Sequence, residues 1–473
     1  MEINLKELTI HKTHESLIKG DFTVRDLVNE YLKVIKDKNN DINAYLEVFD
    51  VEAQIIKAES MFKDGTAKEM TGIPISIKDN MLYEGHVASA SSLMLENYKA
   101  TYDSFVVKSL KDAGAIILGR TNMDEFAMGS STETSAFGIT RNPINRDYVP
   151  GGSGGGGAAS VAMDGALCAL GSDTGGSIRQ PAAFCGLVGL KPTYGTVSRS
   201  GIISMGSSLD QVGPVTKTVR DTETLFNTIN GYDKMDGTCI PTEDRLLSSP
   251  LKKKIGVPRE FLKGDGIDKD VLENFNISCE KLKNAGYEIV DVSLPLIKYS
   301  LPVYYILMPA EVSSNLARYD GIRYGQTSEG KNLLEIYTKT RGEYFGKEVR
   351  RRIILGTYIL SHGYYDAYYN SSVLVRKGIR KELMNVFENV DAIITPTSPF
   401  PPFKFGAKLD DPIAMYMSDV FLAPANIAGV PAISIPSGFN NDGLPFGLHV
   451  MAPLFREDIL FTIGKDFENT KEN

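Results

Sequence analysis

The hydrophobic positions along the chain follow two spacings, which predict helices alternating with short buried strands. Leu27, Tyr31 and Ile35 recur at helical spacing after the capping-box pattern Thr23-Val24-Arg25-Asp26, so residues 23–38 are predicted to form an amphipathic helix. Further helices are predicted at 51–64, 105–112, 158–162 and 270–284. Short apolar runs predict strands at 73–77, 115–118, 166–170, 254–257, 288–292, 392–395, 432–435 and 447–451.

Short apolar strands separated by helices favour an α/β fold in which a sheet lies between helical layers. No repeat of fixed period and no long linker divides the chain, so we expect a single large domain over residues 1–473. Within it we expect a helical N-terminal region at about 1–65, a core at about 70–230 and 390–470, and an additional segment of helices and strands at about 250–385.

Composition excludes several classes of function. Hydrophobic residues make up 42% of the 473 residues and charged residues 23%, as in ordinary globular proteins. The net charge of −8, from 51 Lys and Arg against 59 Asp and Glu, argues against direct binding of a nucleic acid backbone. The four cysteines lie far apart, so we expect buried thiols and no metal site. No secretion signal or membrane-spanning run is visible, and we expect a soluble cytoplasmic protein.

A glycine-rich run, Gly151-Gly152-Ser153-Gly154-Gly155-Gly156-Gly157, leads directly into the predicted helix at 158–162. Such a run predicts positive φ angles or a backbone pressed close to another group. It matches a dinucleotide-binding fingerprint, although the preceding residues 145–150 are polar and end in proline. It also matches a nucleophile elbow at Ser153, which would require His362 or His449 downstream. A Walker A phosphate loop is excluded because no Gly-Lys-Ser/Thr follows.

A second serine, Ser177, follows two glycines after the predicted strand at 166–170. Backbone amides at the end of a buried strand can converge on one point and stabilise the oxyanion of a tetrahedral intermediate. Taken alone, residues 171–177 are equally consistent with a plain turn that ends in a capping serine.

The stretch from Gly151 to Lys191 resembles the amidase signature family. The shared pattern comprises the glycine-serine run, Asp173-Thr174-Gly175-Gly176-Ser177-Ile178-Arg179, Pro181–Gly186 and Leu190–Gly195. The resemblance implies a central mixed, twisted sheet flanked by helices, and a catalytic set of one lysine and two serines. The lysine falls on Lys78 in Gly72-Ile73-Pro74-Ile75-Ser76-Ile77-Lys78-Asp79, the serine after a cis peptide bond on Ser153, and the nucleophile on Ser177.

The resemblance also implies roles for the residues around Ser177. The oxyanion-hole amides fall on Thr174, Gly175, Gly176 and Ser177, and Asp173 and Arg179 match positions that hold the loop in shape. The chain departs from the family pattern where Gly154 and Gly157 replace serines.

A lysine can serve as the base only if its amine is neutral. Lowering its pKa from about 10.4 to about 7 requires roughly 4–5 kcal/mol of destabilisation of the charged form. Burial after the apolar run Ile73–Ile77 could supply this energy. Ser153 would then pass the proton between Lys78 and Ser177.

Later segments resemble one branch of the family, the A subunits of glutamyl-tRNA(Gln)/aspartyl-tRNA(Asn) amidotransferases. These segments are 209–214, 313–321 and 345–369. The resemblance implies that free glutamine is the substrate, with Arg352 on its carboxylate, Asp419 on its ammonium group, and Tyr304 or Tyr305 lining the site. Without the resemblance, the sequence favours Arg350–Arg352 as the solvated end of a helix over a binding role.

The same resemblance implies partners. The B and C subunits of the amidotransferase would complete a heterotrimer, and this chain would bind no cofactor. The B subunit would use ATP and Mg²⁺ to activate the misacylated tRNA, which would receive ammonia released at Ser177. Three alternatives stay open: a stand-alone amidase acting on another carboxamide, a non-catalytic scaffold, and a nucleotide-binding module built on the glycine run.

Overall fold

The computed structural model describes residues 3–245, 250–264, 266–409 and 411–470. The ends of the predicted domain range, residues 1–2 and 471–473, lie outside the described residues. In the described part, no helix combines the length and apolar character needed to cross a bilayer. All four cysteines are buried and unpaired, as the sequence predicted.

The strands are β1 (Tyr45–Val48), β2 (Pro74–Lys78), β3 (Ile116–Thr121), β4 (Cys168–Asp173), β5 (Val188–Lys191), β6 (Gln211–Thr216), β7 (Lys254–Val257), β8 (Glu288–Asp291), β9 (Ala392–Pro396), β10 (Ala432–Phe439) and β11 (Pro445–Met451). Within the described residues they form one sheet of eleven strands in the order β1-β3-β2-β4-β6-β5-β10-β11-β9-β7-β8. The sheet is mixed, because β2 pairs in parallel with β3 and β4 while β10 pairs antiparallel with β5 and β11.

The helices are α1 (Ile10–Lys19), α2 (Val24–Ile42), α3 (Glu52–Lys63), α4 (Phe105–Asp112), α5 (Gly155–Ala162), α6 (Arg179–Phe184), α7 (Val219–Ile229), α8 (Lys269–Asn284), α9 (Ser300–Asn315), α10 (Leu333–Tyr344), α11 (Lys347–Ile359), α12 (Ser371–Phe387), α13 (Pro412–Tyr416), α14 (Ala423–Ala428) and α15 (Glu457–Asn469). The capping box predicted at Thr23 and Asp26 opens α2.

Helices cover both faces of the sheet. Along β4, Ala169 packs with α5 and α6, whereas its neighbours Cys168 and Leu170 belong to a separate apolar cluster with residues of α2 and α7. Successive strand residues point to opposite faces, so helical layers lie on both sides of this sheet. The predicted α/β fold with a mixed sheet between helices is confirmed.

Most predicted elements are present with shifted ends. The strand predicted at 166–170 runs from Cys168 to Asp173, and the helix predicted at 158–162 begins earlier, at Gly155 within the glycine run. The sequence patterns did not reveal β1, β5 and β6. Two of these are only four residues long, and β6 contains Gly213 and Pro214, which are uncommon inside strands.

The topology brings three chain segments to one edge of the sheet. Because β3, β2 and β4 are neighbouring parallel strands, their carboxyl ends share an edge. Lys78 is the last residue of β2, Asp173 is the last residue of β4, and Asp124 follows β3 by three positions. The candidate site is built at this edge.

Candidate active site

The lysine and the first serine of the predicted relay are in direct contact. Lys78 is 1% exposed, and its Nζ lies 2.8 Å from Ser153 Oγ and 3.1 Å from the carbonyl oxygen of Ser172. The peptide bond between Gly152 and Ser153 is cis, as the resemblance implied. A proton can therefore pass between Ser153 and Lys78 along one hydrogen bond.

Burial is the main influence on the charge of Lys78. It lowers the pKa of Lys78 to about 8, although the carboxylates of Asp124, Asp173 and Asp210 favour the protonated form. About one tenth of the amine is therefore neutral at pH 7 and about half at pH 8, and the neutral form is the one that a general base requires.

Ser177 lies beside this pair. The amide of Gly154, the residue after Ser153, donates to the carbonyl oxygen of Ser177 over 3.2 Å, so the two serine loops are joined through their backbones. Ser177 is 7% exposed, so most of this residue is shielded from solvent.

The loop that carries Ser177 is organised by Asp173. Its carboxylate accepts the amides of Gly176 (2.9 Å) and Ile178 (3.3 Å) and two hydrogen bonds from the Arg179 guanidinium. Burial favours the neutral carboxyl, but Arg179 outweighs it and holds the pKa of Asp173 far below its usual range. Since the Gly176 amide is bonded to Asp173, the amides left for an oxyanion are those of Thr174, Gly175 and Ser177.

The histidines that a nucleophile elbow would need are occupied elsewhere. His449 Nε2 accepts a hydrogen bond from Arg179 over 2.8 Å, and its Nδ1 lies 3.2 Å from Thr395 Oγ1. His362 is exposed. In the structure, the partner of Ser153 is an amine, Lys78.

Arg352 is buried on the inner face of α11, which it shares with Val349, Gly356 and Ile359. It is 4% exposed, and its Nε donates to Glu348 Oε1 over 2.8 Å. Its guanidinium lies 5.6 Å from the ring centroids of both Tyr305 and Tyr416, which stack on each other. This side chain is therefore not part of a solvated helix end.

Asp419 and Tyr304 lie against the Ser177 loop. Asp419 is 6% exposed and accepts a hydrogen bond from Ser130 Oγ over 3.0 Å. A Cβ built on Gly176 would lie 3.3 Å from Asp419 Oδ1, and one built on Gly175 would lie 2.6 Å from the Tyr304 ring. Only glycines let the loop approach these two side chains so closely. Burial raises the pKa of Asp419 to about 7.

A cavity of about 190 Å³ opens next to these residues. Its wall includes Arg352, Tyr416 and Ser130, the hydrogen-bond partner of Asp419. A small ligand in this cavity would meet the guanidinium of Arg352, whereas Asp419 is not among the lining residues and is linked to the cavity wall through Ser130.

Several residues at the site were missed in the sequence. Gln180 joins the loops, because its Oε1 accepts the Gly152 amide (2.8 Å) and its Nε2 donates to the Ser130 carbonyl (2.9 Å). Ser130 carries no motif that would have revealed it. Glu348 could have been found, since it lies four residues before Arg352 on the same helical face.

The sequence of the chain is similar to that of amidases over nearly its whole length. The model of the family described as Amidase matches residues 26–461. The A subunit of glutamyl-tRNA(Gln) amidotransferase from Caldanaerobacter subterraneus subsp. tengcongensis is 48% identical over 98% of this chain and 97% of that protein. The protein of the same name from Halothermothrix orenii is 49% identical over 96% and 95%, respectively.

Solved structures show the same similarity. The crystal structure of the A subunit of glutamyl-tRNA(Gln) amidotransferase from Thermotoga maritima has a TM-score of 0.83 and 41% identity, and the match covers 100% of this chain and 97% of that chain. A bacterial aryl acylamidase of 21% identity shares the fold with a TM-score of 0.83, over 98% of this chain and 96% of that chain. With this match of sequence and fold, the chain belongs to the amidase signature family.

Proposed function

We propose that this chain is the glutaminase subunit of a tRNA-dependent amidotransferase, supplying ammonia for the conversion of Glu-tRNA(Gln) to Gln-tRNA(Gln). The observation that carries the proposal is the buried contact between Lys78 and Ser153 beside Ser177. A cavity with Arg352 and Ser130 in its wall supports it. Relatives that carry the amidotransferase name are 48–49% identical over nearly the full chain.

The reaction begins with proton transfer. Ser177 gives its proton to Ser153, which gives its own to neutral Lys78, while Ser177 Oγ attacks the side-chain carbonyl carbon of glutamine. The amides of Thr174, Gly175 and Ser177 stabilise the oxyanion. The proton returns through Ser153 to the amide nitrogen, the C–N bond breaks, and ammonia leaves. Water then cleaves the γ-glutamyl ester to glutamate.

Substrate recognition follows from opposite charges. The guanidinium of Arg352 suits the α-carboxylate of glutamine, and ionised Asp419 suits its α-ammonium group. Tyr304 lies against Gly175, where it fills the wall behind the Ser177 loop.

The remaining parts of the proposal concern the assembly. We assign ATP, Mg²⁺ and the misacylated tRNA to a separate B subunit, and expect a small C subunit to complete a cytoplasmic heterotrimer. This division agrees with the net charge of −8, which does not favour tRNA binding by this chain. The resemblance to glutamyl-tRNA(Gln)/aspartyl-tRNA(Asn) amidotransferases makes Asp-tRNA(Asn) a second candidate substrate, and the choice between the two tRNAs stays open.

The test is a rescue experiment. The chain is coexpressed with the B and C subunits, and Gln-tRNA(Gln) formation is measured with glutamine or with an ammonium salt. Ser177→Ala should abolish formation from glutamine and leave formation from ammonium intact, whereas Ser60→Ala on the exposed side of α3 should change neither. A Ser177→Ala complex that still uses glutamine would indicate a scaffold. A chain that hydrolyses simple amides without binding these two partners would indicate a stand-alone amidase.

A further inference from the structure

Asp124 lies buried beneath the loop of residues 129–134, at the sheet edge that carries Lys78. Its carboxylate accepts the amides of Ser131 (3.3 Å), Thr132 (2.9 Å) and Thr134 (3.2 Å), and the Thr134 hydroxyl (2.8 Å). All four contacts are donors, as an ionised carboxylate requires.

The same residue touches the turn that carries Ser153. The Asp124 amide donates to the Ser153 carbonyl oxygen over 3.1 Å. A Cβ built on Gly152 would lie 2.1 Å from Asp124 Oδ2, so the carboxylate presses directly on the backbone of the cis peptide. The turn and the carboxylate are therefore in contact through both main chain and side chain.

The loop of residues 129–134, which Asp124 holds in place, also bonds to the turn that carries Ser153. The Thr132 hydroxyl donates to the Gly151 carbonyl oxygen (2.7 Å) and accepts the Gly155 amide (3.2 Å). These two contacts lie on either side of Ser153 in the chain. Any displacement of the loop would consequently displace the Ser153 hydroxyl relative to Lys78.

Asp124 also contributes negative charge near the amine. The carboxylates that favour protonated Lys78 are those of Asp124, Asp173 and Asp210. Asp173 is paired with Arg179, and Asp210 accepts hydrogen bonds from the Thr174 hydroxyl and the amides of Met205 and Gly206. Burial raises the pKa of Asp124, while its hydrogen bonds and Lys78 oppose that rise.

We propose that Asp124 is a positioning residue for amide hydrolysis, whose carboxylate fixes the Ser153 turn and places a negative charge beside Lys78. This inference rests on the Lys78–Ser153–Ser177 relay of the proposed function. It goes further because it gives one carboxylate two roles, which are to hold Ser153 in position and to favour the protonated form of Lys78.

The test measures how fast Ser177 of the full chain reacts with a fluorophosphonate, which phosphonylates the serine oxygen and releases fluoride, as a function of pH. In Asp124→Asn, loss of the charge should move the midpoint of the profile to lower pH by about one unit. Loosening of the turn should lower the plateau rate about tenfold. Thr132→Ala keeps the charge, so it should lower the plateau and leave the midpoint unchanged.

Asp221→Asn is the matched control, because Asp221 is also a buried carboxylate that accepts a backbone amide, that of Ile10. It should change neither midpoint nor plateau. An unchanged midpoint in Asp124→Asn, or an unchanged plateau in Thr132→Ala, overturns the inference. If Asp124→Asn does not fold, the plateau labelling rate of Thr132→Ala tests the inference instead.

The inference and the proposed function can fail separately. Wild-type chain that is labelled at Ser177, but whose complex releases no ammonia from glutamine, refutes the proposed function and leaves the inference standing. Wild-type chain that is not labelled refutes both. If Asp124→Asn is labelled and its pH profile has the wild-type midpoint, the inference is refuted and the proposed function is not.

Discussion

At the scale of single residues, the site contains buried ionisable groups whose pKa values move in directions set by their neighbours. Lys78 is buried without a directly bonded carboxylate, so desolvation lowers its pKa. Asp173 is buried against Arg179, and its pKa falls instead. One sheet edge thus carries an amine that can lose its proton and a carboxylate that stays ionised.

The pH dependence of kcat should follow the fraction of Lys78 whose amine is neutral. With a pKa of about 8, the neutral amine is depleted about tenfold for each pH unit below 8, so kcat for glutamine hydrolysis should fall by that factor and level off above pH 8. Lys78→Met should lower kcat by about 10²–10⁴-fold at all pH values. Lys68→Met, at an exposed position, should keep the wild-type profile. A pH-independent kcat would contradict the assignment of Lys78 as base.

The KM for glutamine should depend on the protonation state of the Asp419 carboxyl group. Below its pKa of about 7 the carboxyl group is protonated and no longer attracts an ammonium group, so KM should rise as the pH falls through 7. Asp419→Asn should raise KM about 10–100-fold with a smaller effect on kcat, and should remove this pH dependence. Steady-state kinetics from about pH 5.5 to about pH 8, a range that includes the pKa of about 7, would measure both. A wild-type KM in Asp419→Asn would exclude the assigned role.

At the scale of elements, the parallel strands β2, β3 and β4 deliver their ends to one edge. Asn426 of α14 bonds to Asp173 at this edge, and Arg352 of α11 lines the cavity. The sequence predicted these three strands because their apolar runs are continuous. It did not predict which loops would meet, because the Gln180 side chain bonds to the backbones of Gly152 and Ser130, 28 and 50 residues away, and such contacts leave no periodic pattern. Arg352 was identified only by resemblance, since burial of one arginine among three depends on packing against Tyr305 and Tyr416.

The start of α5 provides a test at this scale. A Cβ on Gly154 would lie 2.7 Å from the Ser177 carbonyl oxygen, whereas one on Gly157 would meet only Ala169 Cβ at 3.6 Å and Thr121 Oγ1 at 3.7 Å. Although the family pattern has serine at this position, Gly154→Ser in this chain should therefore push the Ser177 loop away and lower kcat about tenfold or more. Gly157→Ser, the matched control, should keep wild-type activity. Equal activity of the two variants would show that Ser177 does not depend on this close approach.

At the scale of the whole molecule, one sheet joins all parts of the described chain. The segment at about 250–385 contributes β7 and β8, and β9 joins them to β11 and through it to β10 and β5. Its helices α9, α11 and α12 pack in a shared apolar cluster with residues of β9, β10 and α14. These contacts support the proposal that the chain is a single domain.

A single domain should unfold as one unit. Scanning calorimetry of the full chain should show one transition, because separating the segment at about 250–385 would break the β7–β9 pairing and expose the shared cluster. Two transitions would instead show that this segment is an independent domain. A transition that is distorted by irreversible unfolding shifts in temperature with the scan rate. The scan is therefore repeated at a higher rate to identify such a distortion.

The claim on which the account depends is that Ser177 attacks the amide with the help of Lys78 and Ser153. The most direct measurement is the mass of the chain after rapid acid quench of the assembled complex during glutamine turnover, followed by peptide mapping. The wild-type chain should carry a γ-glutamyl group on the peptide that contains Ser177, and Ser177→Ala should carry none. In Lys78→Met the group should form about 10²–10⁴-fold more slowly. A γ-glutamyl group on any other residue, or undiminished acylation of Ser177 in Lys78→Met, would contradict this claim.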